Sequence, residues 1–411
     1  MNHIEAQAGA GRLRQIGILV GATLGWGGGV AMFVLLGGLF IAPLEAAFLW
    51  RRGDIALSSF ILLGMGLMAP LIGVAADRIG AHIFVGVGAI GFACAYVALA
   101  TMNGELWRYL AILGFVALIA APATSPLIYS RVVVAHFTKT RGLALSICLS
   151  GSTALAALML PLTQYVIASF GWRAGYYMLA GLALMIGAIS FVLLRKAAPP
   201  RQTEASSGAS KWGALARALG DARFWLLALC FASGGCALVG VSAHTQPFLT
   251  ESGFDPMRAA WLGSLLGVVM IVARVTVGAL LDVMEPGWLG LTAFLAAVLG
   301  CLGLAWPQAP ALAIIVALAL IACAQSAESD FLGFFTARYF GVAHFGVISG
   351  ALSLIFAVFV ALGGVIAGRM HDTFGDYRAF FYLAAILCSL AGVALFASAR
   401  LKAPEVRNSG Q

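Results

Sequence analysis

Apolar runs of about 20 residues recur along this chain, and they restrict its fold more than any other feature. A helix of that length crosses the hydrocarbon core of a bilayer, roughly 30 Å thick, and satisfies its own backbone hydrogen bonds there. With 62% hydrophobic and only 10% charged residues, the chain cannot be a water-soluble domain. We predict an all-α membrane protein with twelve transmembrane helices, at residues 16–42, 55–75, 82–101, 107–134, 143–168, 173–195, 224–249, 259–281, 287–306, 310–336, 344–369 and 378–399.

The basic residues set the predicted orientation. Lys and Arg concentrate in cytoplasmic loops, and an N-terminus inside the cell puts most of the 24 basic residues on the cytoplasmic face. Both termini are then cytoplasmic. The net charge of +8 suits that topology and contact with anionic lipid, and nucleic-acid binding is not expected. The Ala- and Gly-rich chain suggests a multi-pass protein of a bacterial inner membrane, which we expect to be a monomer.

A polar, basic segment divides the apolar runs six and six. It predicts an N-terminal six-helix half over 1–195, a cytoplasmic linker over 196–222 and a C-terminal six-helix half over 223–411. The halves also share residues at a common offset, since Gly73 and Asp77 precede Gly278 and Asp282 by 205 positions. Internal repeats of this kind are typical of secondary transporters.

One motif follows the second run: Gly73, Asp77, Arg78 and Gly80 form the pattern Gly-x-x-x-Asp-Arg-x-Gly. Together with the twelve runs and the repeat, this motif resembles the major facilitator superfamily. The resemblance implies two pseudo-symmetric six-helix halves, and it assigns the four motif residues to gating between them.

Three further segments narrow the resemblance. RGLALSICLSGS at 141–152, GWR at 171–173 and ARYFGVAHFGVISG at 337–350 are similar to bacterial relatives of the monocarboxylate transporters and the oxalate/formate antiporters. Eukaryotic monocarboxylate carriers have an Asp-x-x-x-Arg pair in their eighth helix. Arg274 in VARV stands at the arginine of that pair, and Met270 stands where the acidic residue would be.

Arg274 is the strongest candidate for substrate binding. It precedes Asp282 by eight residues, or about 12 Å of helix, which is too deep for its side chain to reach the interface comfortably. Its counterpart 205 residues earlier is Ala69, so a fold shared by both halves does not require a charge there. A guanidinium binds a carboxylate through two parallel hydrogen bonds. Arg274 therefore binds an anionic substrate or, alternatively, forms a structural ion pair.

The acids for such a pair are Glu328 and Asp330 in AESDF. Asp330 precedes Arg338 by eight residues, so we expect it at the depth of Arg274. Residues two apart on a helix point in nearly opposite directions, so only one acid faces the cavity squarely. Either acid could couple transport to protons, or the pair could be permanent and structural; the sequence does not choose between them.

Further candidates lie on helices that line the cavity of such a fold. Trp26 and Tyr129 are predicted substrate contacts, with plain packing as the alternative. His244 is predicted to be a substrate ligand or a proton-sensitive outer gate, with a simple interfacial hydrogen bond as the alternative. We assign Arg131 to a gate with Asp77, and Arg338 to a repeat-related gate with Asp282.

The sequence thus predicts a secondary active transporter of a small organic anion, most simply a monocarboxylate moved with a proton. A drug/proton antiporter is the alternative within the superfamily, and a transporter-like sensor or membrane enzyme is the alternative outside it. No nucleophile motif or metal-ligand spacing occurs. We therefore expect no enzyme activity, cofactor or metal.

Overall fold

A computed structural model describes residues 2–68, 75, 80–137, 141–195, 208–281, 283–341 and 345–401. These residues are almost entirely helical, and no strand occurs among them. The predicted all-α class is therefore confirmed.

The first half of the chain folds into short and long helices. They are α1 (Asn2–Trp26), α2 (Met32–Leu36), α3 (Gly38–Phe48), α4 (Arg52–Ile55), α5 (61–68), α6 (Ala81–Ala100), α7 (Leu106–Phe115), α8 (Ala121–Ala123), α9 (Pro126–His136), α10 (Arg141–Phe170) and α11 (Trp172–Leu194). The remainder forms α12 (Gly208–Leu219), α13 (Ala222–Glu251), α14 (Pro256–Leu281), α15 (Pro286–Ala305), α16 (Ala311–Phe340), α17 (Phe345–Phe374) and α18 (Arg378–Arg400). The short helix α12 lies within the predicted linker.

Eleven helical stretches of the described chain are long and apolar enough to cross a membrane. They are formed by α1–α2, α6, α7–α9, α10, α11, α13, α14, α15, α16, α17 and α18. Within the second predicted run, 55–75, the described residues are Ile55 at the end of α4, a 3₁₀ turn at Ala56–Phe60, α5 and residue 75. Its other residues lie outside the described chain, so a total of twelve spans stays a prediction.

The first span is bent where its glycines cluster. Gly27–Ala31 forms a π-helical turn between α1 and α2, and Gly29 leaves the helical region with φ −94° and ψ −131°. Such a turn frees backbone groups that need other partners. The amide of Val30 donates to Thr124 Oγ1 at 3.1 Å. The bend is therefore held by Thr124, which lies between α8 and α9.

Packing divides the described residues into two units. Unit 1 contains the described residues of Met1–Glu204, Gly240–Ile271 and Ala361–Tyr377. It therefore includes the C-terminal parts of α13 and α17 and the beginning of α14. Its apolar core contains stacked aromatic rings, among them Phe40 on Tyr176 with centroids 3.9 Å apart.

Unit 2 contains the described residues of Ala205–Val239, Val272–Val360 and Arg378–Gln411. Within it, α15 packs against α16 and α18. Both units therefore include chain from beyond the linker. The predicted halves, 1–195 and 223–411, were defined by the sequence repeat and not by packing. This division stays a prediction.

Candidate functional site

Arg274 lies in α14, where it is the sole charged residue between Ala259 and Leu281. About a quarter of its side chain is exposed, 27%. A guanidinium in such an apolar helix needs an anionic partner, because transfer of an isolated charge out of water is costly.

Asp330 of α16 supplies an anionic partner. Its Oδ1 lies 3.4 Å from Arg274 Nε, and 30% of its side chain is exposed. This distance is within ion-pair range but longer than a well-formed N–H···O hydrogen bond. The contact agrees with the common depth that the residue spacing predicted. It also shows which of the two neighbouring acids faces the arginine.

Glu328, two residues earlier, lies in different surroundings. Only 2% of this residue is exposed, and no described group forms a hydrogen bond with its Oε1. That oxygen lies against Gly234 of α13, so closely that a side chain at position 234 would collide with it. The two acids of AESDF therefore point to separate places, as expected for positions two apart on a helix.

Tyr129 and Trp26 both belong to unit 1. Tyr129 is fully buried in an apolar cluster, and its hydroxyl has no hydrogen-bond partner among the described residues. Trp26 is half-buried, and its indole Nε1 donates to the carbonyl of Leu149 at 3.3 Å. Their predicted substrate contacts stay predictions. What the structure shows for both residues is packing between α1, α9 and α10.

His244 is buried in unit 1, with 2% of the residue exposed. Its Nδ1 lies 3.0 Å from the hydroxyl of Tyr377, and its Nε2 lies 2.9 Å from the carbonyl oxygen of Gly364. Both ring nitrogens are therefore engaged inside the protein. This arrangement connects His244 to the cluster around Arg52.

The predicted gating residues are only partly described. Gly73, Asp77, Arg78 and Asp282 lie outside the described residues, so both gate pairs stay predictions. Gly80 precedes α6 with φ +99°, a conformation that favours glycine. Arg131 is half-buried in α9, while Arg338 is near the end of α16 with its guanidinium 5.9 Å from the centre of the Phe334 ring.

Unit 1 contains an arginine cluster that no sequence pattern indicated. Arg52 opens α4, with only 9% of its side chain exposed. Its Nε donates to Glu45 at 2.8 Å, its Nη1 donates to the hydroxyl of Tyr377 at 2.9 Å, and it forms a close ion pair with Glu251. His371 completes the cluster, since its Nε2 lies 3.1 Å from Arg52 Nη1.

Burial and neighbouring groups determine the protonation states of Arg52 and Tyr377 in this cluster. Burial alone would lower the pKa of Arg52, but Tyr377, Glu45 and Glu251 outweigh burial and raise that pKa above its ordinary value. Burial also raises the pKa of Tyr377, against the influence of Arg52. The guanidinium therefore remains a cation beside a neutral phenol.

No sequence pattern relates Arg52 to residues some 200 to 320 positions away. The local sequence WRRGD indicates only a basic loop between the first two spans. Tertiary packing brings the partners together. The cluster consists of Glu45, Arg52, Glu251, His371 and Tyr377, and we call it the Arg52 cluster.

A comparison with protein families matches residues 24–336 to the Major Facilitator Superfamily. This match spans most of the chain. The chain belongs to the Major Facilitator Superfamily. As a member of this superfamily it is a multi-pass membrane transporter of a small molecule, and its relatives and fold are those of transporters and not of enzymes.

Curated relatives of this facilitator are monocarboxylate transporters. Rat monocarboxylate transporter 13 is 28% identical over 263 residues, covering 63% of this chain and 60% of the relative. Human monocarboxylate transporter 11 is 28% identical over 389 residues, covering 85% of this chain and 76% of the relative. The family resemblance drawn from the motifs is thus confirmed.

Solved structures similar to this facilitator show the fold. A point mutant of the nucleoside transporter NupG superimposes with a TM-score of 0.78 at 13% identity, covering 94% of this chain and 99% of that chain. A bacterial homologue of the human lysosomal transporter Spinster gives a TM-score of 0.74 at 16% identity, covering 95% and 97%. These identities are too low to indicate a substrate.

Proposed function

We propose that this facilitator moves a small monocarboxylate together with a proton by alternating access, with Arg274 as the anion-binding residue. The observation that carries the proposal is the Arg274–Asp330 ion pair at 3.4 Å inside apolar helices. The relatives named monocarboxylate transporters support the same substrate class.

The chemistry follows from competition for one guanidinium. Arg274 is not fully enclosed, since 27% of its side chain is exposed, and we propose that an incoming carboxylate reaches it. A planar guanidinium binds a carboxylate through two parallel N–H donors. When the substrate takes those donors, Asp330 loses part of the interaction that stabilises its charge, and binding a proton compensates for that loss. Substrate and proton would then bind together.

Asp330 is therefore our choice for the coupling acid, with Glu328 as the residue that could replace it. Glu328 faces Gly234 and not Arg274. The roles proposed for Trp26, Tyr129 and His244 rank below these, because those residues are packed or hydrogen-bonded within unit 1.

The proposed transporter also has a definite topology in the membrane. We infer twelve spans, cytoplasmic termini, a bacterial inner membrane and a monomer, supported by the distribution of Lys and Arg and by the superfamily fold. Thiol labelling of cysteines introduced near each terminus, in intact and permeabilised cells, tests the orientation. Labelling of intact cells by an impermeant reagent would contradict it.

The decisive experiment is uptake of radiolabelled carboxylates into proteoliposomes, with and without an inward proton gradient. We expect gradient-stimulated uptake by the wild type and a loss of at least about tenfold in Arg274→Gln, since each tenfold step corresponds to about 1.4 kcal/mol of binding. Arg258→Gln is the matched control, because it removes an arginine near the start of the same helix.

Two outcomes would contradict the proposed function. If a folded Arg274→Gln variant kept normal carboxylate uptake, the Arg274–Asp330 pair would be structural. If the wild type moved no carboxylate but expelled cationic dyes, the drug/proton antiporter would replace our proposal. An Asp330→Asn variant separates coupling from binding, because we expect uptake that no longer responds to the proton gradient.

A further inference from the structure

We propose that Arg52, Glu251 and His371 form a gate at the end of the bundle that the predicted orientation places outside the cell, and that protonation of His371 releases it. The gate rests on the proposed alternating-access function. Its central residue, Arg52, has no part in the binding site described for the carboxylate.

The cluster ties together segments from both sides of the predicted linker. Arg52 opens α4, between the first two spans, whereas Glu251 ends α13 and His371 lies near the end of α17. All of these residues belong to unit 1. In alternating access, the two halves of a transporter separate on one side at a time. Contacts that join α4 to α13 and α17 must therefore break whenever this side opens.

Close backbone packing reinforces the same contact. A Cβ atom built on Gly368 of α17 would lie 2.8 Å from the backbone nitrogen of Gly53. The carboxylate of Asp372 accepts hydrogen bonds from the amides of Arg52 and Gly53 at 3.1 and 2.9 Å. These amides belong to the first turn of α4, which has no intrahelical partners of its own. Asp372 of α17 therefore caps α4.

The hydrogen bonds at Arg52 Nη1 exceed what that atom can supply. Nη1 has two hydrogens, and three atoms surround it: the hydroxyl oxygen of Tyr377, a carboxylate oxygen of Glu251 and Nε2 of His371. If the hydrogens go to the first two, His371 Nε2 need not accept one. That nitrogen is then available to act as a donor.

His371 Nε2 lies 3.1 Å from Glu251 Oε1 as well as 3.1 Å from Arg52 Nη1. A protonated Nε2 donates to the carboxylate, and an unprotonated Nε2 accepts from the guanidinium, but one atom cannot do both. The neutral ring with its proton on Nε2 is compatible with the contacts among Arg52, Glu251 and Tyr377. In that form Nδ1 carries only a lone pair, which matches its buried position without a hydrogen-bond partner among the described residues.

A second proton disturbs this arrangement. It would place an N–H at Nδ1, where no described acceptor receives it, and a positive ring 3.1 Å from the Arg52 guanidinium. A buried donor without an acceptor and two adjacent like charges both disfavour the closed gate. The imidazolium also competes with Arg52 for Glu251, and that contact joins α4 to α13.

Glu251, 3.1 Å from His371 Nε2, attracts the protonated ring and opposes this effect, whereas Arg52, also at 3.1 Å, adds to it. The charged and titratable groups around His371 are Arg52, Glu45, Asp54, His244, Glu251, Arg369, Asp372 and Tyr377. Arg369 donates to Asp54 at 2.8 Å at the exposed edge of the same contact. This outer pair reports whether the gate is closed, so its two positions are suitable for a chemical probe.

The test uses an Asp54→Cys/Arg369→Cys double variant of the full chain, and it requires no substrate. We measure the rate of oxidant-driven disulfide formation across the pH range in which histidine titrates, from about pH 5.5 to 8. His371→Gln in the same double variant retains an N–H donor but cannot take a second proton. The cysteine chemistry is common to both proteins, so the ratio of the two rates isolates His371.

We divide the rate of the double variant by that of its His371→Gln derivative. This ratio should stay constant at alkaline pH and fall at least about threefold at the acidic end, because protonated His371 opens the gate. His82→Gln is the matched control and should retain the full pH response, since His82 packs against Phe191 and is not among the groups around His371. Thermal unfolding of each variant confirms that it is folded. Parallel pH curves with and without His371 would overturn the proton step.

Transport provides an independent readout. We expect the disulfide to stop carboxylate uptake and reduction to restore it. Uptake that continues in the cross-linked protein would overturn the gate. If the wild type moved no carboxylate at all, the proposed function would fail, yet the pH dependence of cross-linking would still decide whether the Arg52 cluster opens when His371 is protonated.

Discussion

Arg52 and Arg274 are both arginines in largely apolar surroundings, but their environments differ. Arg52 has 9% of its side chain exposed and bonds at short range to Glu45 and Tyr377. Arg274 has 27% exposed and lies at the longer distance of 3.4 Å from Asp330. The closely held arginine suits a contact that keeps segments together. The more accessible arginine suits a contact that a substrate can replace.

The largest expected effect on stability is at Arg52. Arg52→Gln leaves Glu45 and Glu251 without this cation. We expect a loss of about 2 to 3 kcal/mol, below the cost of about 3 to 5 kcal/mol for a fully buried pair, because the side chains of Glu45 and Glu251 are 37% and 36% exposed. The matched control is Arg108→Gln, because Arg108 pairs with Glu105 at 2.6 Å but at an exposed site, where such pairs contribute about 0 to 1 kcal/mol. Thermal unfolding in detergent compares the two. Equal losses of stability in Arg52→Gln and Arg108→Gln would show that burial does not make the Arg52 contacts stronger than an exposed pair.

A smaller effect is expected at the backbone contact beside the cluster. Gly368→Ala places a Cβ 2.8 Å from the nitrogen of Gly53, and such overpacking costs about 1 to 3 kcal/mol. Gly350→Ala on the same helix is the control, since a Cβ there meets no described atom within 4 Å. We expect only Gly368→Ala to lower the unfolding temperature. A neutral result would show that α17 and α4 separate easily.

The pair at Arg274 should contribute less to stability than to transport. A double-mutant cycle with Arg274→Gln and Asp330→Asn should give a coupling free energy of unfolding below about 1 kcal/mol, because both side chains are partly exposed. Uptake should fall at least about tenfold in Arg274→Gln, whereas Asp330→Asn should keep uptake that no longer responds to the proton gradient. A coupling energy comparable to that of the Arg52 cluster would instead indicate a structural ion pair.

The smallest effect on stability is expected at Glu328. Its Oε1 has no described hydrogen-bond partner, so Glu328→Gln breaks no hydrogen bond of that oxygen. Glu328→Gln preserves shape, so we expect a change in unfolding free energy within about 1 kcal/mol. We also expect proton-driven uptake to persist. Loss of the response to a proton gradient in Glu328→Gln, but not in Asp330→Asn, would move the coupling role to Glu328.

The sequence by itself determined the class of fold. Long apolar runs must form helices in a bilayer, and a charge such as Arg274 is conspicuous within one of them. Helical spacing also predicted that Glu328 and Asp330 diverge and that Asp330 shares the depth of Arg274. These inferences succeeded because they depend on distances along a single helix or on the bilayer's thickness.

Tertiary structure alone decided which acid meets Arg274 and which groups surround Arg52. Glu328 and Asp330 have equal claims in the sequence, and only the rotation of α16 against its neighbours separates them. Arg52 looks like an ordinary loop residue until α13 and α17 bring Glu251 and His371 to it. Periodicity reports the environment along one helix, whereas the contacts of Arg52 with these two residues join positions about 200 or more apart, and only packing brings them together.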